Sequence, residues 1–210
     1  MLSDMKRFLI IISLFIVSAG HMTAGDGCFK TRKFTWGVEW GYVASFHYGI
    51  HHNFFSEDGY RVDIDNSSEF SYQGNGDVYI HLGCDLSDRL NLSVYSGLTG
   101  MHAFHKAIPV SLRLSRYFDL NKGTDKLIAF ADAGSGLCIK DNMQLILSGK
   151  IGGGYRITLS PSSSIDILLA YRMTLTHPEV IYDGYTVPMK WINRNNAYIS
   201  AISVSLGLNF

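Results

Sequence analysis

Histidine is the residue type most able to do chemistry in this 210-residue chain, and its eight copies are unevenly placed. Five of them fall in two short clusters: His47, His51 and His52 in HYGIHH, and His102 and His105 in HAFH. Imidazoles three or four positions apart can share a metal ion, and zinc or copper suits them. The spacing matches no known zinc signature. We therefore interpret these side chains as ordinary exposed or interfacial histidines, with a metal or haem site as the alternative.

Charged residues form a second group, because they occur where every other residue is apolar. They are Glu39, Arg113, Lys150, Arg156, Asp166 and Arg172. A two-residue period indicates a β-strand with chemically different faces, so all six are expected on one face. Unpaired charges in a confined interior are costly, and the arginines can neutralise Glu39 and Asp166. This pattern predicts a plug of salt bridges, and a polar conduit is the alternative.

The same alternation recurs along the chain and predicts eight strands. The segments are FTWGVEWGYVASFH, DVYIHLGCDL, LNLSVYSGLTG, PVSLRLSRYF, DKLIAFADAGSGL, GKIGGGYRITL, SIDILLAYRMTL and a terminal strand from about Asn196. The fifth segment is apolar on both sides, so its phase is ambiguous. A hydrophobic content of 47% excludes a disordered chain, and a net charge of zero argues against a nucleic-acid partner.

The connections between the predicted strands alternate in length. Three are short and turn-like, at 87–89, 119–125 and 160–164, whereas 48–75 and 176–195 are long. Short turns at one end and longer loops at the other are typical of a transmembrane β-barrel. A soluble barrel would direct its apolar face inward, but it should not bury six charges. The predicted fold is therefore an all-β, eight-stranded, antiparallel up-and-down transmembrane barrel.

The first residues predict export. Lys6 and Arg7 precede an apolar run from Phe8 to Val17, which small residues follow. These are the three parts of a secretory signal peptide, and the run is too short to span a bilayer as a helix. We expect residues 1–24 to be the signal peptide, with cleavage between 19 and 24, and residues 25–210 to form the barrel domain. Of the three cysteines (Cys28, Cys84 and Cys138), at least one is expected to be unpaired.

The final segment, AISVSLGLNF, alternates strictly and ends in an aromatic residue. Its apolar positions are Ile202, Val204, Leu206, Leu208 and Phe210. They resemble the C-terminal signal that the barrel-insertion machinery reads in outer-membrane proteins. Together with WGVEWGY and IPVSLRLSRYF, this ending resembles the small barrels of the OmpA/OmpX type and the "outer membrane protein beta-barrel domain" group, which includes PorT-like proteins.

The resemblance implies a place rather than an activity. It places the chain in the outer membrane of a Gram-negative bacterium, with both termini periplasmic. Its partners would be outer-membrane lipid and lipopolysaccharide, the insertion machinery, and an extracellular or envelope protein contacted through the outer loops. We expect no nucleic-acid partner and no cofactor.

An enzyme is the less favoured interpretation. The candidate would be a lipid A-modifying hydrolase with His81 as base, but an active serine also needs an oriented base and a third group. No such set follows from the spacing, and the glycine runs 134–136 and 152–154 lack the phosphate-loop pattern. We therefore predict a non-enzymatic barrel with a closed interior. A surface barrel that captures metal or haem is the other alternative.

Overall fold

The computed structural model describes residues 34–66, 70–102, 105–120, 125–139, 145–160 and 162–210. The predicted signal peptide and Cys28 lie outside these ranges. Eleven strands are present in the described residues: β1 Phe34–Phe55, β2 Arg61–Asp65, β3 Phe70–Ser87, β4 Leu90–Gly100, β5 Lys106–Asp119, β6 Lys126–Cys138, β7 Leu145–Ser160, β8 Ser163–Thr176, β9 Ile181–Tyr182, β10 Tyr185–Thr186 and β11 Ile192–Asn209. Within those ranges, no helix has the length and apolarity needed to span a bilayer.

Eight of the strands form a closed ring. The order is β11-β8-β7-β6-β5-β4-β3-β1, every neighbouring pair is antiparallel, and β11 pairs with β1 to close the sheet. Closure gives the backbone N–H and C=O groups of both edge strands their hydrogen-bond partners, and this is the condition for a sheet to cross a bilayer. The eight-stranded antiparallel up-and-down barrel that the sequence predicts is confirmed.

The two faces of the barrel wall differ in polarity as the alternation requires. Most large outward-facing side chains are apolar and exposed, as at Ile80 (65%), Leu112 (56%) and Leu169 (58%). Between them, polar and charged side chains point inward and are buried. The ambiguous segment, β6, follows the same rule: it directs Leu127 outward and Asp132 inward. An apolar exterior around a polar interior is the arrangement of a membrane barrel.

A β-bulge in β1 changes which residues face inward beyond the ring. The register of β1 shifts between Ser45 and His47 against both β11 and β3. A bulge adds one residue to a strand and reverses the phase that follows. His47, which simple alternation puts on the inner face, consequently lies beside Tyr198 in a tilted arrangement, with ring centroids 5.1 Å apart.

At one end the strands continue past the ring and build a small cap. Beyond the bulge β1 pairs with β2 on one side and with the start of β11 on the other, while β9 and β10 form a hairpin. Phe54, Val180 and Val187 form the buried centre of this cap. A transmembrane β-strand needs about ten residues, so the 22 residues of β1 are long enough to cross a bilayer and extend beyond it.

Candidate functional site: the charged lumen and the loop cap

Arg113 occupies the centre of the lumen. Its guanidinium donates hydrogen bonds to both carboxylate oxygens of Glu39 and, at 3.2 Å, to Asp132. The rings of Tyr95 and Phe130 lie 3.9 and 4.4 Å from the guanidinium carbon. One cation therefore holds two carboxylates and contacts two aromatic faces, which both charge pairing and cation–π attraction favour.

Two further pairs lie along the lumen. Arg156 donates two hydrogen bonds of 2.7 Å to the carboxylate of Asp166, a fork-to-fork pair. Lys150 lies 3.7 Å from a carboxylate oxygen of Asp77. Arg172 donates to the hydroxyl groups of Thr99 and Thr174. The structure thus gathers all six residues of the sequence-predicted charge network inside the barrel.

Sequence reasoning missed Asp77 and Asp132 as members of this network. Asp132 lies in the segment whose phase is ambiguous. It shares one face of the strand with Phe130 and Cys138, but the sequence alone does not show whether that face is directed inward. Asp77 sits on the inward face of a strand that the sequence does predict. With these two, the network among the described residues comprises four carboxylates and four cations.

Little space is left inside the barrel. A cavity near the short-turn end, lined by residues that include His81, Tyr95 and Arg156, measures about 20 Å³. A second one of the same size lies at the cap end, lined by Tyr48 and His102 among others. A volume of this size holds about one water molecule. Side chains occupy the lumen around both cavities, and an interior just wide enough for side chains is what eight strands predict.

His81, the sequence candidate for a catalytic base, stacks on Tyr95 with ring centroids 4.6 Å apart. It is 5% exposed and faces the lumen, away from the lipid-facing surface. Ser93 lines the same cavity, but its hydroxyl donates to Asn91. A lipid A hydrolase would need its serine and base at a surface that acyl chains reach, and this pair does not lie there.

The five outer histidines are divided among several environments. His51 contacts Asp63 (3.0 Å) and Asp65 (3.6 Å) on β2. Both His102 and His105 line the cap-end cavity, where His102 also stacks on Tyr48. No group of three or more metal-ligating side chains is assembled among the residues that the structure describes. The clusters seen in the sequence are therefore not gathered into one site.

The cap is held by apolar packing and by tyrosine hydroxyl groups. Phe54 is fully buried and meets the ring of Tyr182 edge-on at 5.3 Å. The hydroxyl of Tyr60 lies 3.4 Å from that of Tyr182, and Tyr185 accepts a hydrogen bond from the backbone of Glu57. These contacts join the segment before β3 to the segment before β11, so two stretches far apart in sequence form one unit.

His52 faces into the cap rather than outward. Burial lowers the pKa of its imidazole below the ordinary value of 6.5, and a hydrogen bond with Asn195 opposes this only in part. His52 pairs with Asn195 on β11 and with Ile64 on β2, so both neighbouring strands cover it. The neutral form of this histidine is the one that fits the folded cap.

The C-terminal strand closes the ring with the residues of the predicted insertion signal. Ile202, Val204 and Leu206 are exposed on the outer wall, as an apolar signal facing lipid requires. The backbone of Phe210 exchanges two hydrogen bonds with Trp36, and the two rings stack at 4.7 Å. Leu208 pairs with Val38 in the same register.

The closed ring, its apolar wall and its polar filling decide the class of protein. The fold is that of a small outer-membrane β-barrel. No protein-family model and no curated protein matches the sequence. Solved structures that it is similar to include Neisserial surface protein A (10% identity, 86% of this chain and all of that chain, TM-score 0.48). Others are OprG from Pseudomonas aeruginosa (8% identity, 85% and 97%, TM-score 0.48) and AlkL (11% identity, 90% and 95%, TM-score 0.45).

Proposed function

We propose that this protein is a non-enzymatic integral outer-membrane barrel that acts through its cap at the cell surface. The observation that carries the proposal is the contrast between a filled lumen and an ordered cap. Cavities of about 20 Å³ leave no route for a solute, whereas the cap is a folded unit with side chains directed outward.

The exposed side chains of the cap suit contact with another macromolecule. Met189 (89% exposed), Ile181 (66%), Tyr60 (48%) and Phe55 (42%) surround the buried centre. Large apolar and aromatic side chains on a rigid support are typical anchors of binding surfaces. An extracellular or envelope protein is the partner we propose, reached from a barrel anchored in lipid and lipopolysaccharide.

The orientation follows from the unequal ends. Short turns such as that between β3 and β4 suit the periplasmic side, and the cap suits the extracellular side. We therefore propose that both termini are periplasmic. Proteinase added to intact cells should cut within 176–195 and leave a tag at the C-terminus protected. Cleavage of the tag in intact cells would reverse the orientation.

Conductance tests the closed lumen. Purified barrel in a planar lipid bilayer should show no stable open state, because each charged residue of the described lumen network has an ionic partner or a hydroxyl contact. A steady, resolved conductance would overturn the closed-lumen part of the proposal.

Attachment tests the cap. Cells that express Ile181→Ser/Met189→Ser should attach less to protein-coated surfaces and to one another than cells with the wild type, at equal surface expression. Leu120→Ser, an exposed apolar residue beyond β5 at the opposite end, is the matched control and should attach normally. Equal attachment of all three would contradict a contact function.

A further inference from the structure

Arg116 is a cation on the lipid-facing side of the barrel. It lies on β5 among the outward-facing positions that also hold Leu112, Leu114 and Phe118, whereas Arg113 and Tyr117 face inward. Among the described residues, the outward-facing positions of the barrel strands between their ends are otherwise uncharged. A charge on a lipid-facing wall is costly unless it reaches a polar layer or a counter-charge.

The position of Arg116 on its strand brings it within reach of the polar layer at the membrane surface. It precedes the end of β5 at Asp119 by three residues, which is about 7 Å of depth for a strand tilted by ~45°. Its guanidinium carbon lies 5.3 Å from the ring centre of Phe118, the next outward residue toward the short-turn end. The side chain therefore bends toward that end, as a snorkelling arginine does.

The described part of the protein supplies this guanidinium with no ion-pair partner. The nearest acid along the strand, Asp119, is engaged by Arg89 at 3.4 Å and by Lys126 at 3.7 Å. The Nε atom of Arg116 is buried and has no hydrogen-bond partner among the described residues. A buried N–H group without a partner is costly, so an acceptor from outside the protein is expected at this point.

The outer surface of the barrel on one side of Arg116 carries small side chains. Across the sheet its neighbours are Leu90 on β4 and Ala129 on β6, and Ala129 is followed by Gly153 on β7. Ala129 carries only a methyl group and Gly153 no side chain, so the wall on the β6 side of the cation lacks bulky groups. An acyl chain can lie there while its headgroup stays at the level of Phe118.

We propose that Arg116 binds the phosphate of a glycerophospholipid in the leaflet at the short-turn end, with one acyl chain over Ala129 and Gly153. Arginine presents a planar fork of donors that matches a phosphate, and the phosphate supplies the acceptor that Nε lacks. The occupant is a lipid rather than free phosphate because the site opens onto the apolar wall.

Native mass spectrometry of the folded barrel in detergent, titrated with phosphatidylglycerol, tests the assignment. Arg116→Gln should lose bound lipid roughly tenfold, since one charge-assisted interaction is removed. Arg116→Lys, which keeps the charge but not the fork, should lie between the two. Arg89→Gln, a cation at the same end that is paired with Asp119, should bind as the wild type does.

Three outcomes would overturn the proposal. The first is that Arg116→Gln binds lipid within twofold of Arg89→Gln. The second is that inorganic phosphate displaces the lipid at equal concentration, which would mark a free-anion site. The third is that Arg116→Gln changes the ratio of monomer to dimer and not the lipid count. A retained shift in gel mobility on heating establishes that each variant is folded.

The inference rests on the bilayer placement in the proposed function, and the two fail differently. A barrel absent from the membrane fraction would refute the placement. A membrane-inserted Arg116→Gln barrel with unchanged lipid binding would refute only the lipid site.

Discussion

The lumen and the cap are two buried regions of one chain, and they differ in the side chains that fill them: charged and polar in the lumen, apolar in the cap. The lumen buries Arg113 (2% exposed) and its carboxylates among aromatic rings, whereas the cap buries Phe54 (0%) among aliphatic and aromatic side chains. In a membrane barrel the apolar side chains of each strand face outward, so the polar side chains between them face the interior. The cap extends beyond the ring of eight strands and follows the ordinary rule of apolar groups inward.

This difference predicts different responses to mutation. A charge network fails when one partner is removed and the others stay buried, since an uncompensated charge then remains. An apolar core fails in proportion to the volume that is lost. The lumen should therefore be sensitive to single changes and tolerant of concerted ones, whereas the loss of stability in the cap should grow with the buried volume that each change removes.

The largest effect is expected from Arg113→Ala. It leaves Glu39 and Asp132 buried without their cation, and should lower the free energy of unfolding by about 3–5 kcal/mol. Urea unfolding in detergent, followed by the heat-dependent gel shift, measures it. Arg89→Ala, an exposed ion-pair cation, should cost about 0–1 kcal/mol. Equal losses of unfolding free energy in the two variants would mean that the buried charges of the lumen matter no more for stability than an exposed ion pair does.

Phe54→Ala should destabilise the cap by about 3 kcal/mol, the lower end for loss of a buried phenyl ring, because a surface unit can partly collapse. The expected readout is faster proteolysis within the cap with an unchanged heat-dependent gel shift of the barrel. Phe55→Ala, an exposed neighbour on the same strand, serves as the control. Loss of the gel shift in Phe54→Ala would mean that cap and ring are one cooperative unit.

Acid should loosen the cap through His52. Because its pKa is lowered in the folded cap, the unfolded cap binds the proton more readily, and the stability that depends on neutral His52 is lost as the pH falls below about 6.5. Proteolysis of the cap should be faster at about pH 5 than at about pH 7.5, and His52→Gln should reduce the difference. His51→Ala, measured in parallel, removes the neighbouring imidazole and its contacts with Asp63 and Asp65. An identical pH response in His52→Gln would exclude this histidine as the cause.

The smallest effect is expected where the whole central network is replaced. The triple variant Glu39→Leu/Arg113→Met/Asp132→Leu removes all three charges together and should unfold within about 1 kcal/mol of the wild type. The comparison with Arg113→Ala separates the value of the network from the cost of breaking it. If the triple variant is as unstable as the single one, the charges themselves stabilise the barrel.

The sequence predicts the wall of this barrel better than its end. Alternation at Ile80 or Leu169 is set by the lipid outside and the lumen inside, so a local pattern carries it. The phase of β6 needed its neighbours, because Leu127 and Ile128 are equally apolar. The bulge between Ser45 and His47 leaves no local signal, and it decides where His47 points. A second register shift, between Asn53 and Phe54, directly precedes the buried Phe54 and leaves no local signal either. Packing of the cap depends on contacts between segments more than 120 positions apart, such as Tyr60 with Tyr182, which no short pattern reports.

The pairing of β1 with β11 has a consequence for how the chain folds. Glu39 accepts a hydrogen bond from Ser205, 166 positions away, and the seam between these strands has the most distant contacts in the ring. Contacts of such separation form slowly, because loop-closure entropy must be overcome before they contribute. Until the seam closes, both edges of an eight-stranded sheet remain open to other strands. Escape from aggregation therefore depends on the step that joins the two ends of the sheet.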